Sequence, residues 1–267
     1  MSKLYYAIPK KMFDTNIFLR NVSKWDGVNH EKRGENTIYL WLENESTRGI
    51  DVTDEGDKIE IRTTVLSNHH DYQLANWAAE ALWEEFGCSF QDEDDNHLKP
   101  PEIIDLSKTA SMMEFDYNTT KILALNVNEL EIFGPHRQVY IGKDLISKIE
   151  SFEDDATEQL ELAIRHIQYD IPRPAGNYMQ IDTPTGPKTV NTLWLDKRQI
   201  ITKYDYLAIN LNDDRLILIT NDDLKTIMPQ KWQLLDEYTI DAEPLNNDEI
   251  KVLLEKALPM DRYKELA

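Results

Sequence analysis

The strand-like segments of this chain come in neighbouring pairs joined by turn residues, and this order most constrains its fold. Residues 49–53 and 58–66 flank the turn at 54–57, and residues 178–182 and 188–195 flank a turn rich in Pro and Gly. Such pairs predict β-hairpins, whose strands run antiparallel. Because helices are interspersed without a regular strand–helix–strand alternation, we predict an α+β fold with antiparallel or mixed sheets.

The first amphipathic helix follows the second of these strands. From Leu74 to Phe86, apolar residues recur at three- and four-residue spacing, which predicts a helix with one buried face. Asn68 is placed to cap it, Asp71 adds a favourable negative charge to its first turn, and Gly87 is suited to end it.

The other predicted elements alternate in type along the chain. Residues 88–118 contain Pro100-Pro101 and are predicted to form an extended loop. Strands are predicted at 37–42, 121–127, 129–133, 137–141, 206–211, 215–220 and near 233–240, with Asn212-Asp213-Asp214 as a hairpin turn. Helices are predicted near 143–151, 155–169, 222–228 and 247–258, the last with Asn246 and Glu249 as a capping box.

This order indicates two subdomains. We place an N-terminal α+β subdomain with an acidic loop at residues 1–116 and a C-terminal α+β subdomain at 117–267. The segment 171–176, which contains two prolines and a glycine, is the alternative boundary.

The charge of the chain is strongly negative and uneven. The 267 residues contain 29 Lys and Arg against 49 Asp and Glu, a formal net charge of −20. Residues 1–33 carry +4, whereas residues 34–105 carry −14. Such a field disfavours approach to nucleic-acid phosphates and anionic membranes and favours a basic protein partner. Equally, the basic arm and the acidic segment could pack together, and an acidic surface also keeps a protein soluble.

The sequence indicates a cytoplasmic protein. Cys88 is the one cysteine, so no intramolecular disulfide forms and a reducing compartment is expected. The apolar run at the amino terminus is shorter than that of a secretory signal, and no window of eighteen residues is apolar enough for a membrane span. The sequence carries no signal of an oligomeric state.

Motifs for cofactors and catalysis are absent. The nine glycines form neither a dinucleotide-binding loop nor a P-loop, and no nucleophile elbow occurs. Asp92, Asp94 and Asn96 have calcium-loop spacing, but His97 and Ile103 occupy the places of the required Gly and Glu. His69-His70-Asp71 stands between a strand and a helix, where turn and cap roles suit it better than metal binding. We therefore assign no catalytic residue, metal site or cofactor.

The candidate interaction surface is an acidic patch around one tryptophan. Trp83 lies off the apolar face of its helix and is predicted to be exposed, and aromatic residues are common in the centres of interfaces. Carboxylates surround it in sequence, a composition suited to a basic surface. The predicted partner-binding residues are Glu80, Trp83, Glu84, Glu85, Asp92, Glu93, Asp94 and Asp95.

Residues 204–209, 216–219, 227–229 and 235–238 resemble a family of uncharacterised bacterial cytosolic proteins. The shared pattern is a hairpin, a short helix and a strand containing Leu-Asp-Glu, followed by a last amphipathic helix, within residues 204–258. The passage 61–86 is similar too. The resemblance implies a bacterial cytosolic setting and brings no activity and no site residue with it.

Three functions remain open from the sequence. The first is a non-catalytic module that binds a basic protein, as an inhibitor or immunity protein does. The second is a hydrolase-like enzyme whose site combines distant carboxylates with His69, His70 or His136. The third is a nucleic-acid mimic with carboxylates spaced like phosphates. The sequence favours the first, and a deep pocket with convergent titratable groups would favour the second.

Overall fold

The computed structural model describes residues 2–127, 129–171, 178–210 and 216–259. The chain divides into two compact units, Met1–Asp170 and Ile171–Ala267. The α+β class is confirmed, with antiparallel and mixed sheets beside helices. Residues 116 and 117, the predicted boundary, lie inside a helix of the first unit. The division falls beside the alternative boundary, of which residues 172–176 lie outside the described part of the chain.

The first unit contains two sheets and five α-helices in its described residues. Its strands are β1 Lys3–Ile8, β2 Val28–Arg33, β3 Thr37–Leu42, β4 Ile50–Asp54, β5 Ile59–Thr63, β6 Ser89–Asp92, β7 His97–Leu98, β8 Glu129–Phe133 and β9 Gln138–Gly142. Its helices are α1 Thr15–Val22, α2 His69–Phe86, α3 Thr109–Val127, α4 Lys143–Glu150 and α5 Ala156–Arg165, with a 3₁₀ turn at Leu106–Lys108 and a π-helical turn at His166–Asp170.

The large sheet of the first unit is antiparallel throughout and has the order β2-β3-β4-β5-β1-β6-β7. Its register aligns buried residues in a row across four strands, namely Ile38, Val52, Ile61 and Tyr5. Burying one face of a sheet in this way fixes the register, because a slip by one residue would expose the whole row. Of the basic arm, β1 lies inside this sheet and pairs with β5 and β6 of the acidic segment, whereas β2 forms one edge of the sheet.

Helix α2 begins and ends as the sequence predicts. Asn68 and Asp71 form a reciprocal capping box, and Gly87 ends the helix in the left-handed conformation, with φ of 65°. Its apolar face shares a core with α1 and the large sheet through residues such as Leu74, Ala78 and Leu82. This core fixes the position of α2 against the large sheet.

Helix α3 corrects two predictions. Residues 121–127 were predicted as a strand and 88–118 as a loop, whereas residues 109–127 form one helix and β6, β7 and the 3₁₀ turn precede it. The buried side of α3 consists of Thr109, Asp116, Tyr117, Thr120 and Ala124. Because polar and small residues occupy the buried positions, the hydrophobic period of a helix is hidden, and the apolar run that includes Ile122, Leu123 and Leu125 resembles a strand.

The second unit, taken by itself, is also α+β. Its strands are β10 Tyr178–Thr183, β11 Gly186–Leu193, β12 Gln199–Ile201, β13 Tyr206–Asn210, β14 Leu216–Thr220, β15 Gln233–Leu234, β16 Ile240–Ala242 and β17 Leu258–Pro259, and its helices are α6 Asn221–Ile227 and α7 Asn247–Lys256. A mixed sheet has the order β10-β11-β13-β14-β17, with β11 and β13 parallel, and β12-β16-β15 form an antiparallel sheet.

Most predictions for the second unit agree with this arrangement. The hairpin of β10 and β11, the antiparallel pair β13 and β14, and the capping box of Asn246 and Glu249 are confirmed. The predicted turn 212–214 lies outside the described residues. The strand predicted near 233–240 is instead two short strands, because Asp236 Oδ1 accepts hydrogen bonds from the N–H groups of Tyr238 and Thr239 and turns the chain. In the part of the chain described here, no helix is both long and apolar enough to cross a membrane.

Candidate functional site

The predicted acidic patch falls into two groups. Trp83 is exposed, and Glu80 and Glu84 lie one turn from each other on its side of α2. Glu93, in contrast, lines a pocket together with Tyr72. Tyr72 precedes Trp83 by eleven residues in α2. At 1.5 Å per residue, this places Tyr72 about 16 Å from Trp83 along the helix. The turn at Asp92–Asp95 and the Trp83 group therefore lie towards opposite ends of α2.

The turn after β6 is organised by Asp92. Its Oδ1 accepts hydrogen bonds from the N–H groups of Asp94 and Asn96, at 3.0 and 2.9 Å, and its Oδ2 accepts one from the Asn96 side-chain amide. These bonds, above all those from Asn96, hold the pKa of Asp92 below its usual range. The spacing that resembles a calcium loop thus forms a hydrogen-bonded turn. Within the described residues, no three His, Cys, Asp or Glu side chains are grouped to hold a metal ion.

The side chains of the His-His-Asp triplet turn to three different partners. His69 Nδ1 lies 3.0 Å from Thr109 Oγ1, and His70 Nε2 lies 3.2 Å from Glu45 Oε2. Asp71 is fully buried, and burial raises its pKa, although hydrogen bonds to the carboxylate oppose that shift. Because each of these three side chains bonds to a different partner, they form no common site.

Helices α3 and α5 enclose an open acidic groove of about 700 Å³. Of the eleven residues that line it, four are carboxylates and none is Lys or Arg. Glu114 projects from α3, while Asp155, Glu158 and Glu161 belong to the beginning of α5. Neither Glu114 nor Glu158, both exposed, has an ion-pair partner among the described residues. The groove is therefore a concave surface of one charge, suited to a cation.

A small inner pocket of about 20 Å³ continues from the groove. Met113, Tyr117, Thr157 and Glu161 line both, so they form the junction. Glu161 Oε1 accepts a hydrogen bond of 2.8 Å from Asn68 Nδ2, which ties this carboxylate to the cap of α2. The Tyr117 hydroxyl is buried without a hydrogen-bond partner in the described part of the chain.

A family model described as Domain of unknown function (DUF4299) matches residues 20–172. The chain belongs to this family. The expectation of an uncharacterised family is thereby confirmed. The match includes residues 61–86 of the resemblance, but its other residues, 204–258, lie outside the matched range. No curated protein and no solved structure matches the chain.

Both walls of the acidic groove lie inside the DUF4299 range. A third cavity, of about 260 Å³, borders a different side of α3 and is lined by Glu93, Asp116 and Phe115 among others. Ser111 lines both this pocket and the groove. Of the predicted patch, Glu93 is thus the residue that the DUF4299 fold brings next to α3.

One exposed strip of α3 in the DUF4299 region is apolar. Phe115 is 56% exposed and Ile122 is 61% exposed. They lie seven residues apart, which is about two helical turns, so they share one side of the helix. An apolar strip beside acidic pockets is the composition of a protein-binding surface, with apolar contacts at its centre and charges at its rim.

The sequence prediction missed this groove because it missed α3. With residues 88–118 interpreted as loop and 121–127 as strand, Glu114, Phe115 and Tyr117 were not placed on a helix. Asp155 stands at the start of the helix predicted near 155–169, and it caps α5 by accepting hydrogen bonds from the N–H groups of Thr157 and Glu158. The available signal was the run of carboxylates at 150–161, which has no counterpart in basic residues.

Proposed function

We propose that this protein is a non-catalytic module that binds a basic protein partner on the acidic surface of its first unit. The observation that carries the proposal is the groove between α3 and α5, which presents four carboxylates and no Lys or Arg. The setting we propose is the cytoplasm of a bacterium, where the protein neutralises its partner as an inhibitor or immunity protein does.

The charge of the first unit supports this function. Residues 1–170 carry 17 Lys and Arg against 33 Asp and Glu, a formal charge of −16. A field of this sign accelerates the approach of a cationic partner and repels nucleic acid. Once the partner is near, the groove and the exposed side chain of Phe115 supply a charged and an apolar contact side by side.

The geometry also supports binding over catalysis. Asp71, the most deeply buried carboxylate among the described residues of this unit, accepts hydrogen bonds from three backbone N–H groups and from the Thr47 hydroxyl, so its oxygens hold the fold together. Burial raises the pKa of the Cys88 thiol to about 11, so the thiolate needed of a nucleophile is scarce at neutral pH.

The test compares the groove with the predicted patch at equal net charge. One variant carries Glu114→Lys and Glu158→Lys, and the control carries Glu84→Lys and Asp94→Lys, also at exposed positions. Each has a formal charge of −16. Wild-type protein and both variants are immobilised, and the proteins retained from a lysate of the source cells at low salt are quantified by mass spectrometry.

We expect wild type and control to retain the same basic protein and the groove variant to lose it. If the groove variant retains the basic protein and the control does not, the partner binds at the residues around Trp83 and Asp92 instead. If wild type retains no basic protein above the level of an acidic protein of similar charge, the proposed function is wrong.

A further inference from the structure

The polarity of α3 is reversed with respect to its burial. Polar side chains and one alanine make up its buried side. Its large hydrophobic residues that remain exposed are Phe115, Ile122, Leu123, Leu125 and Val127. A surface helix normally buries its apolar side and presents its polar side to water. A concentration of exposed apolar residues on one helix therefore indicates a surface that another molecule covers.

The exposed side of α3 also carries little charge. Among the exposed residues of this helix, which the structure describes from end to end, Glu114 is the one charged residue. The chain as a whole has a formal charge of −20 and a charged fraction of 29%. Since charged side chains keep a surface in contact with water, the exposed side of α3 differs from the rest of a highly charged chain.

The spacing along α3 is suited to a second helix. Four exposed residues follow one another at intervals of three, four and three positions, and they form the α3 strip: Phe115, Asn118, Ile122 and Leu125. This is the spacing of the a and d positions of a coiled coil. The strip extends over ten residues, or about 15 Å. A row with this period packs along its whole length against the apolar face of another helix.

The acidic groove lies along one flank of the α3 strip. Asn118 belongs to both, and Glu114, which precedes Phe115, lines the groove together with Glu158. In a pair of packed helices, the residues that flank the apolar row pair with opposite charges on the other helix. Because Glu114 and Glu158 are exposed carboxylates on this flank, they are matched by lysine or arginine on the helix that covers the strip.

These charges decide against a second copy of this chain as the covering molecule. The one basic residue of α3 is Lys121, and it already pairs with Glu150. A second copy would also bring its own acidic groove towards the first. Carboxylates would then face carboxylates, which disfavours the contact.

We propose that the α3 strip binds an amphipathic helix of the basic partner, with the apolar face of that helix on Phe115, Ile122 and Leu125 and its lysine or arginine residues facing the groove. This deepens the proposed function and rests on it. The strip supplies the apolar contact that excludes water, and the groove selects the charge of the partner and the orientation of its helix.

The experiment uses the full chain and three fluorescently labelled peptides of about 18 residues, which as helices span the length of α3. The basic peptide has leucine at heptad positions a and d, lysine at e and g, and alanine elsewhere. The acidic peptide has glutamate in place of lysine. The permuted peptide has the composition of the basic one in an order that distributes leucine around the helix.

Fluorescence anisotropy measures the affinity of each peptide for the wild type, for Ile122→Ser and for the control Leu162→Ser. Leu162 is an exposed residue of α5 that belongs neither to the α3 strip nor to the lining of the groove. Both substitutions replace an exposed apolar side chain by serine and leave the charge of the protein unchanged.

We expect the wild type to bind the basic peptide about tenfold more tightly than the acidic or the permuted one, which lack the matching charge and the apolar face respectively. Ile122→Ser should weaken this binding about tenfold, because it removes an apolar contact within the strip. Leu162→Ser should bind as the wild type does. Since both sites are exposed, both thermal midpoints should match that of the wild type, so weaker binding would not reflect misfolding.

Three results would overturn the proposal. Equal affinity for the basic and permuted peptides would exclude an amphipathic helix, and equal affinity for the basic and acidic peptides would exclude selection by charge. Unchanged binding by Ile122→Ser would remove the α3 strip from the binding site. In sedimentation velocity, a wild-type dimer that Ile122→Ser converts to a monomer would show that a second copy covers the strip, which would also refute the proposal.

The retention experiment separates this inference from the proposed function. A basic protein that the Glu114 and Glu158 variant loses, but that Ile122→Ser retains in full, would leave the proposed function in place and refute the docked helix. Failure of the wild type to retain any basic protein would refute the proposed function itself.

Discussion

Asp71 Oδ1 accepts a hydrogen bond of 2.8 Å from the backbone N–H of Gly49, and this bond fastens the loop before β4 to the first turn of α2. Gly49 has φ of 61°, and a Cβ built there would lie 2.4 Å from the carbonyl oxygen of Leu40 and 2.7 Å from the Tyr39 hydroxyl. Only a glycine allows this close approach of the loop to β3.

Gly49→Ala should therefore lower the free energy of unfolding by about 3 kcal/mol or more, since it adds a backbone clash to the strain of a left-handed conformation. Gly34→Ala is the matched control, because Gly34 has φ of 78° but nothing within 4 Å of its Cβ position. It should lose only about 1–2 kcal/mol. Urea denaturation measures both values, and equal losses would show that the close approach is unimportant.

Replacement of Asp71 tests the other end of this contact. Asp71 Oδ2 accepts hydrogen bonds from Thr47 Oγ1 and from the N–H groups of Arg48 and Asn68, at 2.9 to 3.0 Å. Asp71→Asn turns one acceptor into a donor that faces other donors, so we expect a loss of about 3 kcal/mol despite the similar shape. The shift of the urea midpoint measures it. A change below about 1 kcal/mol would mean that the loop rearranges to pair these groups elsewhere.

The sequence predicts features that depend on local chemistry. The cap of α2, its glycine end and the exposure of Trp83 follow from residues within a few positions of one another. The position of β1 inside the large sheet does not follow from nearby residues, because its partner strands β5 and β6 lie more than fifty and more than eighty residues away in the sequence.

The groove was beyond prediction for a related reason. It needs α3, whose buried side contains Thr109, Asp116 and Thr120, and it needs the start of α5 about forty residues later. Tertiary packing of polar residues overrides the hydrophobic pattern here.

The stability of the turn at Asp92–Asp95 should depend on pH. Its folded pKa lies below the unfolded value, which is roughly 4, because Asn96 and Asp94 donate hydrogen bonds to the ionised carboxylate. The stabilisation is thus fully present above the unfolded pKa and is lost as the pH falls through the lower folded value. In NMR spectra, the amide protons of Asp94 and Asn96 should shift together at a pH below 4. A midpoint above 4 would contradict the hydrogen-bonded turn.

Two variants of Asp155 test the charge of the groove and the stability of α5 separately. Its Oδ1 caps the helix by accepting hydrogen bonds from the N–H groups of Thr157 and Glu158, and its carboxylate also lines the groove. Asp155→Asn keeps the cap and removes the charge, whereas Asp155→Ala removes both and should cost about 1 kcal/mol of stability. Because one exposed charge contributes little, both variants should retain about threefold less of the basic partner in the retention experiment, and only the alanine variant should show a lower thermal midpoint. If Asp155→Asn binds as tightly as the wild type while Asp155→Ala does not, the order of the helix start, and not its charge, governs recognition.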